Sequence, residues 1–358
     1  MTIFHLYYDL VTGGIQTLMI NIANEQAAMG HTVKMLILSD KMEEKLSQLI
    51  DKRVEVISFK RKGGIYFLKA MVMLNWYLLT HKYDILHVHN PRLSIFIKVP
   101  INQDHKCCTQ HCLCNGELDS DYLHCFNHII AISDSVRDDI MKKYQIKATT
   151  VINGINFKRF KICNNVRDRD GKFRIVQVGR LNNDVKAQDI LIEAVGLLKR
   201  KGIANVLVDF IGDDQGSLPL LIKETKELNV EEQVTFCGLK DQEYLAEHLC
   251  KYDLFVLPSR KEGFGLSVAE AMAVKIPVLV SDVPGPMEVI GYGTYGYYFE
   301  KGNAASCAQK IEEIMRDGTN NDMLESAYRR VCKDFDVSLT AKKYLEYYSK
   351  ILSKKQLS

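Results

Sequence analysis

The chain has 358 residues, of which 47% are hydrophobic and 25% are charged, and its formal net charge is +3. This composition excludes a disordered or fibrous protein, and so small a net charge argues against a nucleic-acid-binding protein with a large basic face. The length predicts two domains of about 150 to 200 residues each.

The first elements predict a βαβ unit. Residues 3–8 have the character of a buried strand, the glycine turn VTGGIQ follows, and apolar residues between Ile15 and Ala23 recur at helical spacing. Gly30 is expected to end this helix, and residues 33–38 predict the second strand. This succession is typical of a parallel sheet with helices on its faces.

Residues 65–79 form the most apolar later segment. Lys69 interrupts this segment, which is shorter than the roughly 20 residues that a membrane-spanning helix needs. We expect a core helix of the first domain, or alternatively a helix that contacts a membrane surface or lipid acceptor. The N-terminus lacks the features of a signal peptide, which predicts a cytoplasmic protein. If residues 65–79 instead contact a membrane surface, the protein would be peripheral on the inner face of the cytoplasmic membrane.

Two segments of the first half carry clustered histidines and cysteines. His87 and His89 lie in the strand-like sequence LHVH, and we expect them to face opposite sides of the strand. The segment 106–114, KCCTQHCLC, has the composition of a metal site. We interpret it as one strand whose alternating side chains cannot bring four zinc ligands together, so its cysteines are expected to pack in the core. A reducing cytoplasm further predicts no structural disulfides.

A second series of alternating strands and helices begins at Phe173 with the strand FRIVQV and continues to the strand VLVS. The polar segment 161–172 is the best candidate for a linker between the two series. We therefore expect an N-terminal domain over residues 1–165, a C-terminal domain over residues 166–335, and a terminal helix in residues 336–358 that packs back on the first domain.

The most informative segment is PSRKEGFGLSVAEAMAVKIPVLVSD, residues 258–282. Glu262 lies in a loop after a strand, and Glu270 lies on the helix that follows, where it shares one face with apolar residues. A carboxylate on that face needs hydrogen-bond donors, which sugar or ribose hydroxyls would supply. The alternative is a surface glutamate on a rim that the helix does not bury.

This segment resembles the E-x7-E motif of retaining GT-B glycosyltransferases, in particular glycosyltransferase family 4 (group 1). Other segments resemble the same family: TGGIQ (12–16), DILHVHNP (84–91), HIIAISDSVRDDI (128–140), VINGINFKRF (151–160) and VGRLNNDVKAQDILIEAV (178–195). The resemblance implies an α/β protein of the GT-B fold, with two Rossmann-like doubly wound parallel-sheet domains facing across a cleft. Two positions depart from the family pattern. Gln16 stands where a glutamate is frequent, and Lys275 replaces a usual glycine, so its turn would lack the positive φ that glycine adopts freely.

The resemblance implies transfer of a hexose-type sugar, with retention, from a UDP- or GDP-sugar bound by the C-terminal domain. The acceptor would be a hydroxyl of a glycan or lipid-linked intermediate of cell-surface polysaccharide synthesis, bound by the N-terminal domain. The leaving phosphate would help to deprotonate this hydroxyl. A double displacement is the alternative, but no carboxylate is a clear candidate for its nucleophile.

The resemblance also implies the site residues. Arg180 and Lys186 would stabilise the negative charge that develops on the departing diphosphate. Glu262 would accept hydroxyls of the donor sugar, and His111 would lie at a strand end beside the anomeric centre. These four are the expected catalytic residues. The expected donor-binding residues are Gly13, Gly14, Gly212, Gly238, Leu239, Phe264, Gly265, Leu266, Ser267 and Glu270. The glycine turns and the helix N-terminus among them would approach the phosphates, and Glu270 would hold the ribose.

For Gly212 and the Gly238–Leu239 turn, plain turns between strands and helices are the alternative. No Asp-x-Asp follows a strand, and Asp119 and Asp121 are interpreted as loop residues, so we expect no metal and no cofactor beyond the donor. Rival functions are a nucleotide-sugar epimerase or phosphorylase on the same scaffold, and a sugar-nucleotide sensor without activity. A nicotinamide-dependent oxidoreductase is disfavoured because neither half opens with G-x-G-x-x-G.

Overall fold

The computed structural model describes residues 1–61, 66–101, 103–114, 118–163 and 170–353. The chain forms two compact units, one of Met1–Ile155 with Phe335–Ser358 and one of Asn156–Asp334. The domain boundary expected between residues 165 and 166 lies outside the described residues, as do residues 164–169 of the expected linker.

The first unit contains a seven-stranded sheet in which all strands are parallel, with the order β3-β2-β1-β4-β5-β6-β7. Its strands are β1 Thr2–Tyr7, β2 Thr32–Ser39, β3 Val54–Arg61, β4 Ile85–Val88, β5 Lys106–Gln110, β6 His128–Ala131 and β7 Thr149–Thr150. The strand order changes direction between β1 and β4. Ligands of doubly wound sheets bind at such a position, beyond the C-terminal ends of the strands.

The helices of the first unit are α1 Gly14–Ala28, α2 Glu44–Ser47, α3 Tyr66–Thr80, α4 Leu118–Leu123, α5 Asp134–Tyr144 and, from the C-terminal segment, α14 Val337–Ser353. Short 3-10 helices cover Pro91–Phe96 and Gln103–His105. The apolar face of α14 packs against α1 and the sheet, where Tyr344 and Tyr348 are fully buried with Ile3, Ile22 and Ile85. The C-terminal helix thus completes the core of the first unit.

The second unit contains a six-stranded parallel sheet with the order β10-β9-β8-β11-β12-β13. Its strands are β8 Phe173–Val178, β9 Val206–Ile211, β10 Val234–Gly238, β11 Leu254–Leu257, β12 Val278–Ser281 and β13 Tyr297–Phe299. Its helices are α6 Asn183–Lys186, α7 Gln188–Arg200, α8 Leu218–Glu227, α9 Gln242–His248, α10 Leu266–Ala273, α11 Pro284–Val289, α12 Ala304–Asp317 and α13 Asn321–Asp334, with 3-10 turns at Phe157–Arg159 and Leu249–Lys251. Apolar residues of α7 and α12 pack on the sheet. The two parallel sheets confirm the predicted pair of Rossmann-like domains.

Helix α3 has apolar residues on two faces. Ala70, Leu74 and Leu78 are buried, whereas Trp76 is 63% exposed. The other exposed apolar residues of this helix are Leu68, Val72, Met73 and Leu79. Within the described ranges, no helix combines the length and apolarity that crossing a bilayer requires.

The expectation that all cysteines are free is wrong for one pair. Cys163 and Cys250 form a disulfide across 87 positions of sequence, with their Cα atoms 5.5 Å apart. The other eight cysteines form no disulfide. Tertiary folding brings Cys163 to the 3-10 turn before β11, and sequence spacing alone does not predict such an approach.

The turn at Lys275 also differs from the expectation, because Lys275 adopts a φ of +58°. The left-handed conformation is therefore retained without glycine. The Nζ atom of Lys275 lies 2.5 Å from a carboxylate oxygen of Glu325 and 4.6 Å from the ring centre of Tyr328. These two contacts offset part of the conformational cost of a side chain at positive φ.

Candidate active site

Two predicted catalytic residues of the second unit form an ion pair. Lys186 ends the short helix α6, which follows β8, and Glu262 lies in the loop after the neighbouring strand β11. The Nζ atom of Lys186 bonds a carboxylate oxygen of Glu262, and both side chains are less than one-fifth exposed. The adjacent C-terminal ends of two parallel strands therefore bring together residues that are 76 positions apart.

The loop that carries Glu262 is fixed by groups that the sequence analysis did not identify. The backbone N–H of Arg260 donates to the carbonyl of Val185 at 2.8 Å. Its guanidinium donates to both carboxylate oxygens of Asp189, at 2.9 and 2.5 Å, and to the carbonyl of Asn183 at 2.7 Å. Arg260 thereby holds the loop against α6 and α7. Its sequence context carries no signal for this role, because the partners come from elements 70 or more positions away.

The predicted catalytic residue Arg180 is placed differently from Lys186. It follows β8 by two positions, and its side chain is exposed. Its carbonyl accepts a hydrogen bond of 3.0 Å from the buried side chain of Gln188. The guanidinium makes no hydrogen bond or ion pair with another residue in the part of the chain that the structure describes. An anionic ligand can therefore use all five of its donors.

Glu270 lies on α10 and is only 8% exposed, which rules out the solvent-exposed rim. The side-chain N–H of Gln242, at the start of α9, donates to its carboxylate at 3.4 Å. Burial raises the pKa of Glu270 to about 7, although the Gln242 amide opposes this shift. One long hydrogen bond leaves the carboxylate with unused acceptor capacity, which ligand hydroxyls can fill. Sequence reasoning missed Gln242 because it follows a different strand.

The turn into α10 places four predicted residues, Phe264 to Ser267, at a helix N-terminus. Gly265 precedes the helix with a φ of +103°, a conformation that favours glycine. The first N–H groups of an α-helix have no partner within the helix and bind anions. Gly285 supports this turn, because a Cβ atom there would lie 2.6 Å from the carbonyl oxygen of Glu262. Sequence reasoning also missed this contact.

The predicted Gly212 directly follows β9, and the predicted Gly238 is the last residue of the neighbouring strand β10. The N–H of Gly212 donates to the carbonyl of Gly238 at 3.0 Å. A Cβ atom at Gly212 would lie only 2.0 Å from the carbonyl oxygen of Gly179. Gly212 is therefore required for the packing of its turn against the segment that leads to Arg180. Gly238 has a φ of +66° with open space around it, and Leu239 is exposed.

In the first unit, Gly13 and Gly14 begin α1. Gly13 is extended, with a φ of −177°, and is followed by the helix from Gly14 onward. A Cβ atom at Gly13 would lie 2.6 Å from the side-chain oxygen of Gln16, whose amide donates to Asp9 at 2.8 Å. Gly13 thus leaves room for the side chain of Gln16, so its place in the turn does not depend on phosphate contact.

His111 immediately follows β5. The strand expected to extend through Cys114 ends at Gln110 instead, so the alternation predicted for residues 111–114 is wrong. The thiols of Cys107 and Cys108 are buried, and burial raises their pKa values, as expected of core residues. The Nε2 atom of His111 lies 3.3 Å from Nδ1 of His89.

His87 and His89 share one face of the sheet, so the expectation of opposite faces is wrong. Side chains two positions apart in a strand lie on the same face. The two rings stack with their centres 4.0 Å apart. Among the described residues, His5, His87 and His89 form the group that could hold a metal ion, with their ligand atoms within 4.8 Å of one another.

Comparison with known families matches both halves of the chain. The family model described as Glycosyltransferase Family 4 matches residues 12–159, and the model described as Glycosyl transferases group 1 matches residues 159–330. The second match contains Arg180, Lys186, Glu262 and Glu270.

Among curated relatives, the capsular polysaccharide biosynthesis glycosyltransferase CapM of Staphylococcus aureus is 28% identical over 215 residues, which are 54% of each chain. The N-acetyl-alpha-D-glucosaminyl L-malate synthase of Bacillus anthracis is 29% identical over 179 residues, which are 50% of this chain and 45% of the relative. The chain thus spans about half the length of these relatives.

A solved structure of Anabaena Alr3699/HepE in complex with UDP-glucose superposes with a TM-score of 0.81 and 18% identity. The superposition covers 98% of this chain and 99% of the other. The likeness shows a shared fold.

Proposed function

Because the chain belongs to the group 1 glycosyltransferases of glycosyltransferase family 4, we propose that it transfers a hexose-type sugar from a nucleotide-diphosphate sugar to a hydroxyl acceptor with retention. The observation that carries this proposal is the Lys186–Glu262 ion pair at the ends of β8 and β11. It offers a cation for phosphate and a carboxylate for sugar hydroxyls at one place. The nearby Arg180 has its guanidinium uncommitted within the described chain.

Sugar transfer breaks the bond between the anomeric carbon and the β-phosphate oxygen, so negative charge develops on the diphosphate. Arg180 and Lys186 stabilise this charge most strongly in the transition state, and the N-terminus of α10 adds backbone donors. Glu262 accepts hydroxyls of the sugar, and Glu270 accepts those of the ribose beside Gln242. These cationic and backbone donors neutralise the diphosphate, and we propose that no metal ion is required.

The relatives support the choice of substrates. UDP-glucose is bound in the Anabaena structure, and CapM is named for capsular polysaccharide biosynthesis. We propose a UDP-sugar as the first donor to test, with a GDP-sugar as the second. The proposed acceptor is a glycan or a lipid-linked intermediate of polysaccharide synthesis.

The proposal predicts that one sugar nucleotide raises the melting temperature of the protein and is hydrolysed slowly without an acceptor. Binding to the folded state at a concentration of 100 times the Kd stabilises it by about 2.7 kcal/mol. Donors are screened by thermal shift, and the anomeric configuration of the product is read by NMR, with and without EDTA. A β-linked product from an α-linked donor contradicts retention, and loss of turnover in EDTA contradicts metal independence. A new sugar nucleotide formed without an acceptor favours the epimerase.

We further propose that α3 contacts the membrane surface that carries a lipid-linked acceptor. The exposed residues Leu68, Val72, Trp76 and Leu79 follow one another at spacings of four, four and three positions, so they form one stripe along the helix. Aromatic and aliphatic side chains of such a stripe enter the headgroup region of a bilayer.

The double variant Trp76→Ser with Leu79→Ser is expected to lose most of its co-sedimentation with anionic lipid vesicles, because each residue buries apolar surface in the bilayer. Leu220→Ser is the matched control, because Leu220 is 56% exposed on α8 of the other unit. Equal co-sedimentation of the double variant, the control and the unmodified protein contradicts the membrane contact.

A further inference from the structure

Four side chains of the first unit form an unbroken chain of hydrogen bonds. The Nε2 atom of His5 lies 2.8 Å from the side-chain oxygen of Gln26, and its Nδ1 atom lies 2.8 Å from Nε2 of His89. Nδ1 of His89 lies 3.3 Å from Nε2 of His111. His5 lies in β1, His89 follows β4 and His111 follows β5, so the chain crosses three neighbouring strands.

In this chain of hydrogen bonds, the donor and the acceptor of each bond are fixed. The oxygen of Gln26 can only accept, so Nε2 of His5 must donate to it. A neutral imidazole carries one N–H, so Nδ1 of His5 accepts from Nε2 of His89. By the same rule, Nδ1 of His89 accepts from Nε2 of His111. His111 is therefore left with a bare lone pair on Nδ1.

The assignment of one N–H to each ring requires that His5, His89 and His111 are all neutral, and their pKa values meet this requirement. Burial lowers the pKa of His5 to about 4 and that of His111 to about 3. Burial also lowers the pKa of His89 well below its usual value, and a charge on His87 or His5 would lower it further. At neutral pH, the three imidazoles are therefore uncharged, and each donates one hydrogen bond in the same direction along the chain.

The free end of this hydrogen-bonded chain has no partner among the residues that the structure describes. Nδ1 of His111 is buried and makes no hydrogen bond with any described residue. A buried acceptor without a partner costs free energy, so this atom calls for an explanation, which a bound hydroxyl provides. A sugar hydroxyl is a donor of suitable chemistry for a bare imidazole nitrogen.

Metal binding accounts for these rings less well. Both nitrogens of His5 and of His89 already take part in the chain. The nitrogens of His87 lie 2.5 Å from the hydroxyl of Tyr348 and 2.7 Å from that of Thr109. A metal ion at His5, His87 and His89 would break at least two of these hydrogen bonds in a fully buried core.

We propose that His5 and His89 are positioning residues that hold His111 in the tautomer with a bare Nδ1, so that this atom accepts a hydroxyl of the sugar substrate. The inference rests on the proposed glycosyl transfer. The inference gives His5 and His89 control over the tautomer of His111, which residues that only pack in the core would not have. The orientation of the Gln26 amide sets the direction for the whole chain.

The first test reads the tautomer without using activity. In protein labelled with ¹⁵N-histidine, long-range ¹H–¹⁵N spectra distinguish bare from protonated ring nitrogens. We expect a bare Nδ1 and a protonated Nε2 for His111, and mixed tautomers of His111 in His5→Phe, His89→Phe and Gln26→Met. His87→Phe is the matched control, because His87 packs on His89 but takes no part in the chain; it should leave the tautomer of His111 unchanged.

The second test measures kcat/KM for the donor. His89→Phe should lower it by about tenfold, the scale of one hydrogen bond, and should cause no further loss in a His111→Phe background. Gln26→Met provides the same test if a ring variant fails to fold. A protonated Nδ1 of His111, a tautomer unaffected by His5→Phe, additive losses, or zinc bound at the three buried histidines would overturn the inference. A wild-type protein with the expected tautomer and no turnover with any sugar nucleotide would instead refute the proposed function.

Discussion

Lys186→Ala and Arg180→Ala are each expected to lower kcat by roughly a hundred- to a thousandfold, while changing donor affinity much less. In the proposed reaction, both cations face a diphosphate whose negative charge increases as the glycosidic bond breaks, so their interaction would be stronger in the transition state than in the ground state. Steady-state kinetics with the donor identified by thermal shift would measure kcat, and calorimetry would measure donor affinity.

Two exposed cations of the same unit serve as controls for these variants. Lys261 is exposed and adjacent to Glu262, and Arg200 is exposed at the end of α7, so alanine at either position should leave kcat within about twofold, as is usual for surface changes. A value of kcat near that of the unmodified protein in Lys186→Ala or Arg180→Ala would show that the assigned role is wrong.

The ion pair requires one more variant. Loss of Lys186 also leaves Glu262 without its partner, and this could lower activity indirectly. If Lys186 only holds Glu262, Lys186→Ala should cause no further loss in a Glu262→Gln background. A direct role on the diphosphate predicts a further loss in the double variant, which a double-mutant cycle detects.

Glu270→Ala is expected to raise the donor KM by roughly a hundredfold with a much smaller change in kcat, because hydrogen bonds to a charged group contribute about 1.5–3 kcal/mol each. The ribose lies away from the bond that breaks, so its contacts contribute equally to ground state and transition state. Glu243→Ala is the control, since Glu243 is exposed on α9 beside Gln242. An unchanged KM in Glu270→Ala would return Glu270 to a structural role.

The raised pKa of Glu270 adds a pH dependence to this prediction. In the proposed complex, the ionised carboxylate of Glu270 accepts hydroxyls of the ribose, and burial raises its pKa to about 7, so the free protein is increasingly protonated there below that pH. Donor binding then requires loss of a proton, so the donor KM should rise as the pH falls below about 7, by up to tenfold per pH unit. Glu270→Gln should remove this dependence, which a KM series from pH 5.5 to 8 would reveal.

In the sequence, Lys186, Glu262 and Glu270 stood out because their segments, 178–195 and 258–282, resemble motifs of glycosyltransferase family 4. Sequence reasoning did not identify Gln242, Arg260 or Gly285. The partners of these residues are in other strands and loops, and their own neighbourhoods resemble those of ordinary surface residues. Contacts of this kind are set by which strands lie side by side.

The segment KCCTQHCLC likewise has some features that the sequence predicted and others that it did not. Three of its four cysteines, Cys107, Cys108 and Cys114, are buried, as expected of residues that pack in the core, whereas Cys112 is exposed and contradicts that expectation. The end of β5 at Gln110 and the stacking of His87 on His89 were not predicted, the latter through an error in strand periodicity. The roles of His5 and Gln26 could not be predicted, because their partners come from other elements.

The amino-acid sequence by itself determined the two series of parallel strands, the turn that carries Arg180, and the helix that presents Glu270, because period, turn chemistry and helix spacing are local properties. Only the tertiary structure decided which groups meet: Lys186 with Glu262, Gln242 with Glu270, Cys163 with Cys250, and three histidines in one hydrogen-bonded chain. Strand order and helix packing set these distances, and neither can be read from residue spacing along the chain.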